Sequence, residues 1–368
     1  MMAFLADGGK PIHMLAAACM TYLIKWFRNK GNLVDAVTAT PFFKCTHPSD
    51  HLYSLLSLMQ GTSGIEADYN LPSEDVCMQF ALATLVADQN LRPLSLAPHT
   101  TILLGGQQPA RLALPSWVPD LTCQGGVNPL VSYTIRSQLF HAGGHEKPNV
   151  TVSADGRLLQ LRGRIVDKVV KMARCQADVP FPTEEEVHPK SGFHARMKKR
   201  ISNWFQECRE VAGEKHRAED TTTNRSFLET LLCGMSSMRD PLPDEVIEAT
   251  GVYMDYLFDF FTEGYVLPEE VRVTILTYGG LVEQSVAGVT ESRRFCRTEQ
   301  GRLGQVRAEA REGDVFACIV GAEVPYLLRP SGEKEGVYTL VGDTFLLGVM
   351  QGEALSDSRY ETVDIVIE

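Results

Sequence analysis

Residues 153–170 read Ser153-Ala154-Asp155-Gly156-Arg157-Leu158-Leu159-Gln160-Leu161-Arg162-Gly163-Arg164-Ile165-Val166-Asp167-Lys168-Val169-Val170. Asp155-Gly156 is a hairpin signal, because this pair tolerates the positive φ that tight primed turns need. Leu158 to Val170 then reads as one long strand, with Gly163 the expected bulge. A hairpin feeding a long strand makes this part of the chain β, and everything else is placed by how it can pack against it.

Downstream, residues 176–290 switch to helix. In Arg196–Arg217 the residues Ile201, Trp204, Phe205 and Cys208 share one helical face, which puts the basic run Arg196-Met197-Lys198-Lys199-Arg200 on the solvated side. Glu184-Glu185-Glu186 suits a solvated helix start. Glu214–Arg225 is polar and Thr-rich and reads as a mobile loop. Two more helices are predicted over Pro243–Glu263 and Pro268–Val286. From Arg293 the strands return. Val315–Val320 and Val324–Leu328 flank Gly321-Ala322-Glu323 as a hairpin, and Val337–Val341 and Phe345–Met350 flank Gly342-Asp343-Thr344 as another.

Upstream the chain is mostly helical. Residues 10–30 end in Lys25, Arg28 and Lys30 before Gly31, as a helix C-terminus should. A second helix follows Pro48, with Leu52, Leu55, Leu56 and Met59 on one face and Gly61 at its end. A third starts near Pro72-Ser73-Glu74-Asp75, with Ser73 or a neighbour as cap and an apolar face of Val76, Phe80, Leu82 and Val86. Short strands, including Val131–Ile135, begin after a Pro- and Gly-punctuated stretch. The fold class expected is α+β: an N-terminal helical lobe (1–100), a β segment (101–175), a charged helical insertion (176–290) and a C-terminal β module (291–368). The strands of about 100–175 and 290–355 join as one antiparallel sheet or small β-barrel unit.

The 368 residues fit two compact units. Lys plus Arg is 35 against 46 Asp plus Glu, a net charge of −11, which argues against a dedicated nucleic-acid binder because such a surface repels phosphate backbones. Nine cysteines are scattered singly with no CxxC, the pattern of reduced, buried thiols in a cytoplasmic protein. No secretory signal opens the chain, and Met14–Ile24 is too short an apolar run to span a membrane. No metal or cofactor is expected. Gly105-Gly106 lacks any GxxxxGK or GxGxxG setting, and Gly234-Met235-Ser236-Ser237-Met238 lacks the second glycine of a nucleophile elbow.

Several blocks resemble the fungal heterokaryon-incompatibility (HET) family. Cys45-Thr46-His47-Pro48-Ser49-Asp50-His51-Leu52-Tyr53-Ser54-Leu55-Leu56 is similar to its "C-x-x-P-x-D-x-[VL]-Y-[AS]-L-L" helix start, and Ala67-Asp68-Tyr69-Asn70 to its "PDYS" step. Leu114-Pro115-Ser116-Trp117-Val118-Pro119-Asp120 resembles "LPSWVPDW", with Leu121 in place of the aromatic. The 153–163 hairpin, Arg294–Gly301, Gly313-Asp314-Val315, Val324–Pro330 and Tyr338–Ala354 resemble further blocks in family order. Where relatives read "YVHG", this chain has Phe345-Leu346-Leu347-Gly348, so no role of that histidine carries over. The resemblance implies that the family's amino-terminal module, likened to Toll/interleukin-receptor domains, is missing.

Candidate site residues are few. Trp117 and Asp120 either pack an irregular loop or line an interdomain cleft, with Tyr133 a further ligand or interface candidate. His141-Ala142-Gly143-Gly144-His145 resembles a metal pair, but two glycines oppose a helix. That leaves His141, with Asp120, as the weak catalytic candidates. Arg329 and Asp343 are read as an ion pair across the small β unit or as an anion-capturing pair. Two functions stay open. One is a recognition, interaction or regulatory protein that binds a protein partner. The other is a cofactor-independent enzyme of specialised metabolism (cyclase, isomerase or hydrolase) holding a hydrophobic small molecule in an interdomain cleft.

Overall fold

The computed structural model describes residues 33–39, 45–56, 64–97, 112–122, 130, 139–213, 221–235, 241–290, 292–332 and 334–368. The helix expected at 10–30, the strand expected at Val131–Ile135, and Gly61 lie outside them.

The leading region is helical: α1 (Leu33–Ala39), α2 (Asp50–Leu56) and α3 (Ser73–Leu82). Leu52, Tyr53 and Leu55 of α2 share a buried cluster with Val76 and Phe80 of α3. The α3 cap differs from the sequence reading. Pro72 precedes the helix, its carbonyl accepts the Asp75 and Val76 N–H groups, and no side chain caps. Val86 is exposed rather than on the apolar face, because α3 runs on into a π turn at Ala83–Ala87. One extra residue in that turn rotates every later position away from the face that a 3.6-residue period projects.

Two strands come next, β1 (Thr151–Val152) and the fourteen-residue β2 (Leu159–Met172). A hairpin joins them as read, but its turn is not a primed one, since Gly156 and not Asp155 takes a positive φ. Gly156 has φ +71°, and the Asp155 carboxylate accepts from the Ser153 hydroxyl and the Arg157 N–H. The helical block is α4 (Phe193–Ala212), α5 (Thr221–Leu231), α6 (Asp244–Asp259) and α7 (Glu269–Thr290). Its own core holds Trp204, Phe205 and Cys208, as the sequence periodicity requires, with Phe227, Met254 and Leu257. Part of the segment read as a loop over Glu214–Arg225 is the first turn of α5.

The tail supplies β3 (Arg293–Thr298), β4 (Leu303–Arg307), β5 (Val315–Ile319), β6 (Tyr326–Pro330), β7 (Val337–Asp343), β8 (Phe345–Leu346), the short α8 (Glu353–Ser356) and β9 (Val363–Ile367). The sheet order is β5-β6-β7-β9-β2-β3-β4-β8, and β5 also pairs with β2. That second pairing closes β2, β5, β6, β7 and β9 into a ring, so these strands have no free edge between them. β2 has a different neighbour at each end on each side. β1 and then β5 line one edge, and β9 and then β3 line the other. The chain is therefore α+β, with a mixed sheet: β7 and β9 run parallel, and every other pair is antiparallel.

Two further expectations are corrected. Gly163 is not a bulge. It pairs in register with Ile319 on one side and Val363 on the other, and the irregularities fall at Ile165/Asp167 and Val169/Lys171. A Cβ at Gly163 would lie 2.8 Å from the Cys318 carbonyl oxygen, so glycine is needed for close strand approach. Nor do β7 and β8 form a hairpin. β7 pairs with β6 and β9, while β8 pairs with β4. Thr344 turns the corner between them, with its N–H on the Pro325 carbonyl and its hydroxyl on that of Gln305.

Both faces of the ring are covered. Leu159, Leu161, Ala317, Ile319, Tyr326, Leu328, Leu340, Ile365 and Ile367 join Cys77, Ala81, Leu85 and Leu94 of the leading helices in one cluster. Phe316, Cys318, Leu327 and Val341, the alternate positions, form another with Val166 and Val169. The helical block seats on the β3–β4 extension: Phe295 of β3 lies in its core, with its ring centroid 5.2 Å from that of Phe227.

Candidate interaction surface

The residues singled out in the sequence are placed mainly as structure. Trp117 is fully buried among α3 and the ring strands, and its indole N–H donates to the Arg157 carbonyl at 3.2 Å. Two prolines hold this loop irregular. Ser116 fastens it to β7 by accepting the Leu340 N–H, and to Glu368 by donating its hydroxyl to the backbone carbonyl there. Asp120 accepts from the Thr122 N–H and hydroxyl and from the Leu112 N–H, so its carboxylate organises a turn. Tyr133 lies outside the described residues.

His141 sits in a loop sewn onto the β5–β6 connection. Its N–H donates to Met350, Gly143 N–H donates to Ala322, and Gly321 N–H donates back to Gly143. A Cβ on Gly143 would fall 1.8 Å from the Ile319 carbonyl oxygen, which explains a glycine there. The His141 and His145 rings meet tilted at 49°, with centroids 4.5 Å apart, and among the described residues no hydrogen bond reaches the His141 imidazole. His141 and Asp120 are thus not joined, and no group among the described residues has the makings of a metal site.

Arg329 and Asp343 do not pair. Arg329 forks onto Asp314, at 2.9 and 3.0 Å. Asp343 is fully buried and pairs with Arg293 and Arg307, each at 2.7 Å. It also accepts the Leu130 N–H, and Arg307 donates to the Ser95 carbonyl. Burial pushes the Asp343 carboxyl up, but the two guanidiniums more than offset this and hold it below the usual carboxylate range. Burial lowers the Arg307 guanidinium to about 10, so it remains charged at neutral pH. This cluster ties β3, β4 and β7 to the leading region. It is out of reach of solvent.

Most of the described thiols are buried, Cys45 being half-buried. Burial raises Cys175 and Cys318 to about 12 each, so both stay protonated and unreactive at neutral pH, and the described cysteines form no disulfide with one another.

What faces water is the outer side of the helical block. Along α7 and the turn before it, Val266 is 81% exposed, Leu276 74% and Val273 52%. Val273 and Leu276 lie three residues apart, so they share a stripe of the helix. At the start of α4, Phe193 is 65% exposed and its ring stands 5.6 Å from that of Phe181. The basic run beside it is not merely solvated. Arg200 donates to the carbonyls of Gln176, Ala177 and Val179, and Arg196 to that of Pro182 while stacking on Phe181 at 4.4 Å. Lys198 and Lys199 lie against aromatic rings of the α6 end. No helix among the described residues is long and apolar enough to cross a membrane.

Residues 275–365 match the Het-6 beta-barrel domain. Over 77 residues, 21% of this chain, the sequence is 31% identical to "Heterokaryon incompatibility protein 6, OR allele" of Neurospora crassa, and the match spans 11% of that protein. The shared stretch is a small part of the relative's length. No solved structure matches.

Proposed function

We propose, from the heterokaryon-incompatibility family to which its Het-6 beta-barrel domain assigns this chain, that it is a recognition or regulatory protein that acts by docking onto a longer protein of the same family. The observation that carries the reading is the exposed apolar stripe of α7. Single exposed valines or leucines are ordinary, but Val273 and Leu276 share the outer face of α7, with Val266 exposed in the segment leading into it, while Val282, Val286 and the partly buried Val271 and Ile275 pack the helix onto the core of the block. A helix held in this way can lay its stripe into a partner's groove, and burying each such side chain contributes about 1.5–3 kcal/mol. The closed ring, the Asp343 cluster and the wedged Trp117 support this as a rigid platform that presents the stripe without reorganising.

The test is co-expression of the tagged chain with full-length heterokaryon-incompatibility proteins of its host, followed by sedimentation of each purified pair. A stoichiometric complex that is lost in the V273D/L276D variant, with an unchanged melting temperature, is the expected result. The reading falls if no such protein pairs with the chain, or if the double variant pairs as well as the parent.

A further inference from the structure

A second surface of the helical block carries charge of the wrong sign for this chain. The protein is net −11, yet from Val187 to Gln206 there is no Asp or Glu, and Lys190, Arg196, Lys198, Lys199 and Arg200 all fall within that span. Arg196 and Arg200 are occupied by backbone carbonyls, and Arg196 also lies 4.0 Å from Glu184. None of the three lysines forms an ion pair among the described residues, although the Lys199 charge acts on the Glu186 carboxylate through space. They converge instead on two neighbouring rings. Lys198 Nζ is 4.3 Å and Lys190 Nζ 5.4 Å from the Phe260 centroid. Lys199 Nζ is 5.2 Å from that of Phe261, and the two phenyl rings are 5.0 Å apart. Lys198 is further fixed by a 2.5 Å hydrogen bond with the Tyr256 hydroxyl.

A ring face attracts a cation through its quadrupole but leaves the positive charge in place. Three ammonium groups gathered over adjacent rings therefore repel one another, and a bound anion relieves that repulsion. The extent of the patch limits the anion. Glu184, Glu185 and Glu186 precede the basic run, with Glu186 close enough to feel the Lys199 charge, and Asp259 and Glu263 flank the two rings along the chain. A nucleic-acid strand or an anionic membrane plane would carry its charge across these carboxylates. A short run of acidic side chains would not. The exposed Phe193 ring, three residues along the chain from Lys190, offers contact to an apolar side chain in the same run.

We infer that Lys190, Lys198 and Lys199, held over Phe260 and Phe261, form a docking site for a short acidic segment of a partner protein. This rests on the interaction reading above and names the chemistry the partner presents. The carboxylates of such a segment take the place of solvent around the ammonium groups, and long-range attraction speeds its encounter with the chain.

Fluorescence anisotropy on the full chain tests the site with four probes. These are a labelled twelve-residue Asp/Glu peptide with one phenylalanine, its Asn/Gln counterpart, a single-stranded RNA of equal length, and vesicles containing phosphatidylserine. The acidic peptide should bind, weaken with added salt, and lose roughly tenfold in affinity in K190Q/K199Q, which removes the exposed charge of Lys190 and the half-buried one of Lys199 and leaves Lys198, hydrogen-bonded to Tyr256, in place. F193S should weaken it as well, with an unchanged melting temperature. Binding no tighter than the Asn/Gln peptide, preference for RNA or vesicles, or indifference to K190Q/K199Q would overturn the assignment. Because the α7 variant is scored on whole-partner assembly, a complex that survives K190Q/K199Q sinks this site alone. A peptide that binds where no family protein assembles sinks the broader reading alone.

Discussion

Removing the Asp343 carboxylate would leave the guanidiniums of Arg293 and Arg307 side by side on paired strands without the carboxylate they share. Breaking a buried pair in this way costs about 3–5 kcal/mol, so D343N should lower stability by that order in denaturant titrations at neutral pH. Acid has a matching effect. The folded carboxyl is held below its unfolded value of about 3.9, so its contribution is complete above that value and fades as pH falls through the folded one. The stability gap between parent and D343N should therefore narrow as the medium is acidified past that point. Trp117→Ala removes a fully buried indole and should cost about 3–5 kcal/mol. At this scale the sequence marks which residues matter better than it marks their partners. The Asp343 turn and Arg329 are both visible, but Arg293 and Arg307 reach Asp343 only because β3 and β4 lie beside the end of β7, a placement that no local spacing encodes.

β2 shows what an element adds. Its length and its Asp-Gly hairpin are readable locally, and both form. Apart from its hairpin partner β1, its neighbours β3, β5 and β9 are not readable, since they lie more than a hundred residues away, and that is why Gly163 reads as a bulge instead of a crossing point. Gly163→Val would force a branched side chain against the Cys318 carbonyl, and the bulk should cost about 1–3 kcal/mol in melting experiments. Faster amide exchange confined first to β2 and β5 would locate the damage at the closing pair. Helix phase has the same limit: Val86 follows the period of α3 on paper, and one π turn moves it into water. β7 and β8 likewise read as a hairpin because the turn residues between them fit one, while tertiary pairing sends the two strands to different neighbours.

Across the described residues, the closed ring and the proposed docking residues lie on separate elements. The ring and its clusters bury Trp117, Asp120 and Asp343, and the helical block carries the exposed side chains proposed to meet a partner. The inward half of that block was legible, since Trp204, Phe205 and Cys208 repeat with the helical period. The outward half was not, because Lys198 and Lys199 meet Phe260 and Phe261 only through the packing of α4 on α6. V273D/L276D changes only the water-facing side and should shift stability by no more than about 0.5 kcal/mol while abolishing assembly. The most direct measurement is hydrogen exchange of the full chain with and without a full-length heterokaryon-incompatibility partner. Slowed exchange over residues 266–281 and 188–200, with the barrel strands unaltered, is the predicted pattern. Equal exchange with and without partner, or protection confined to the barrel, would contradict it.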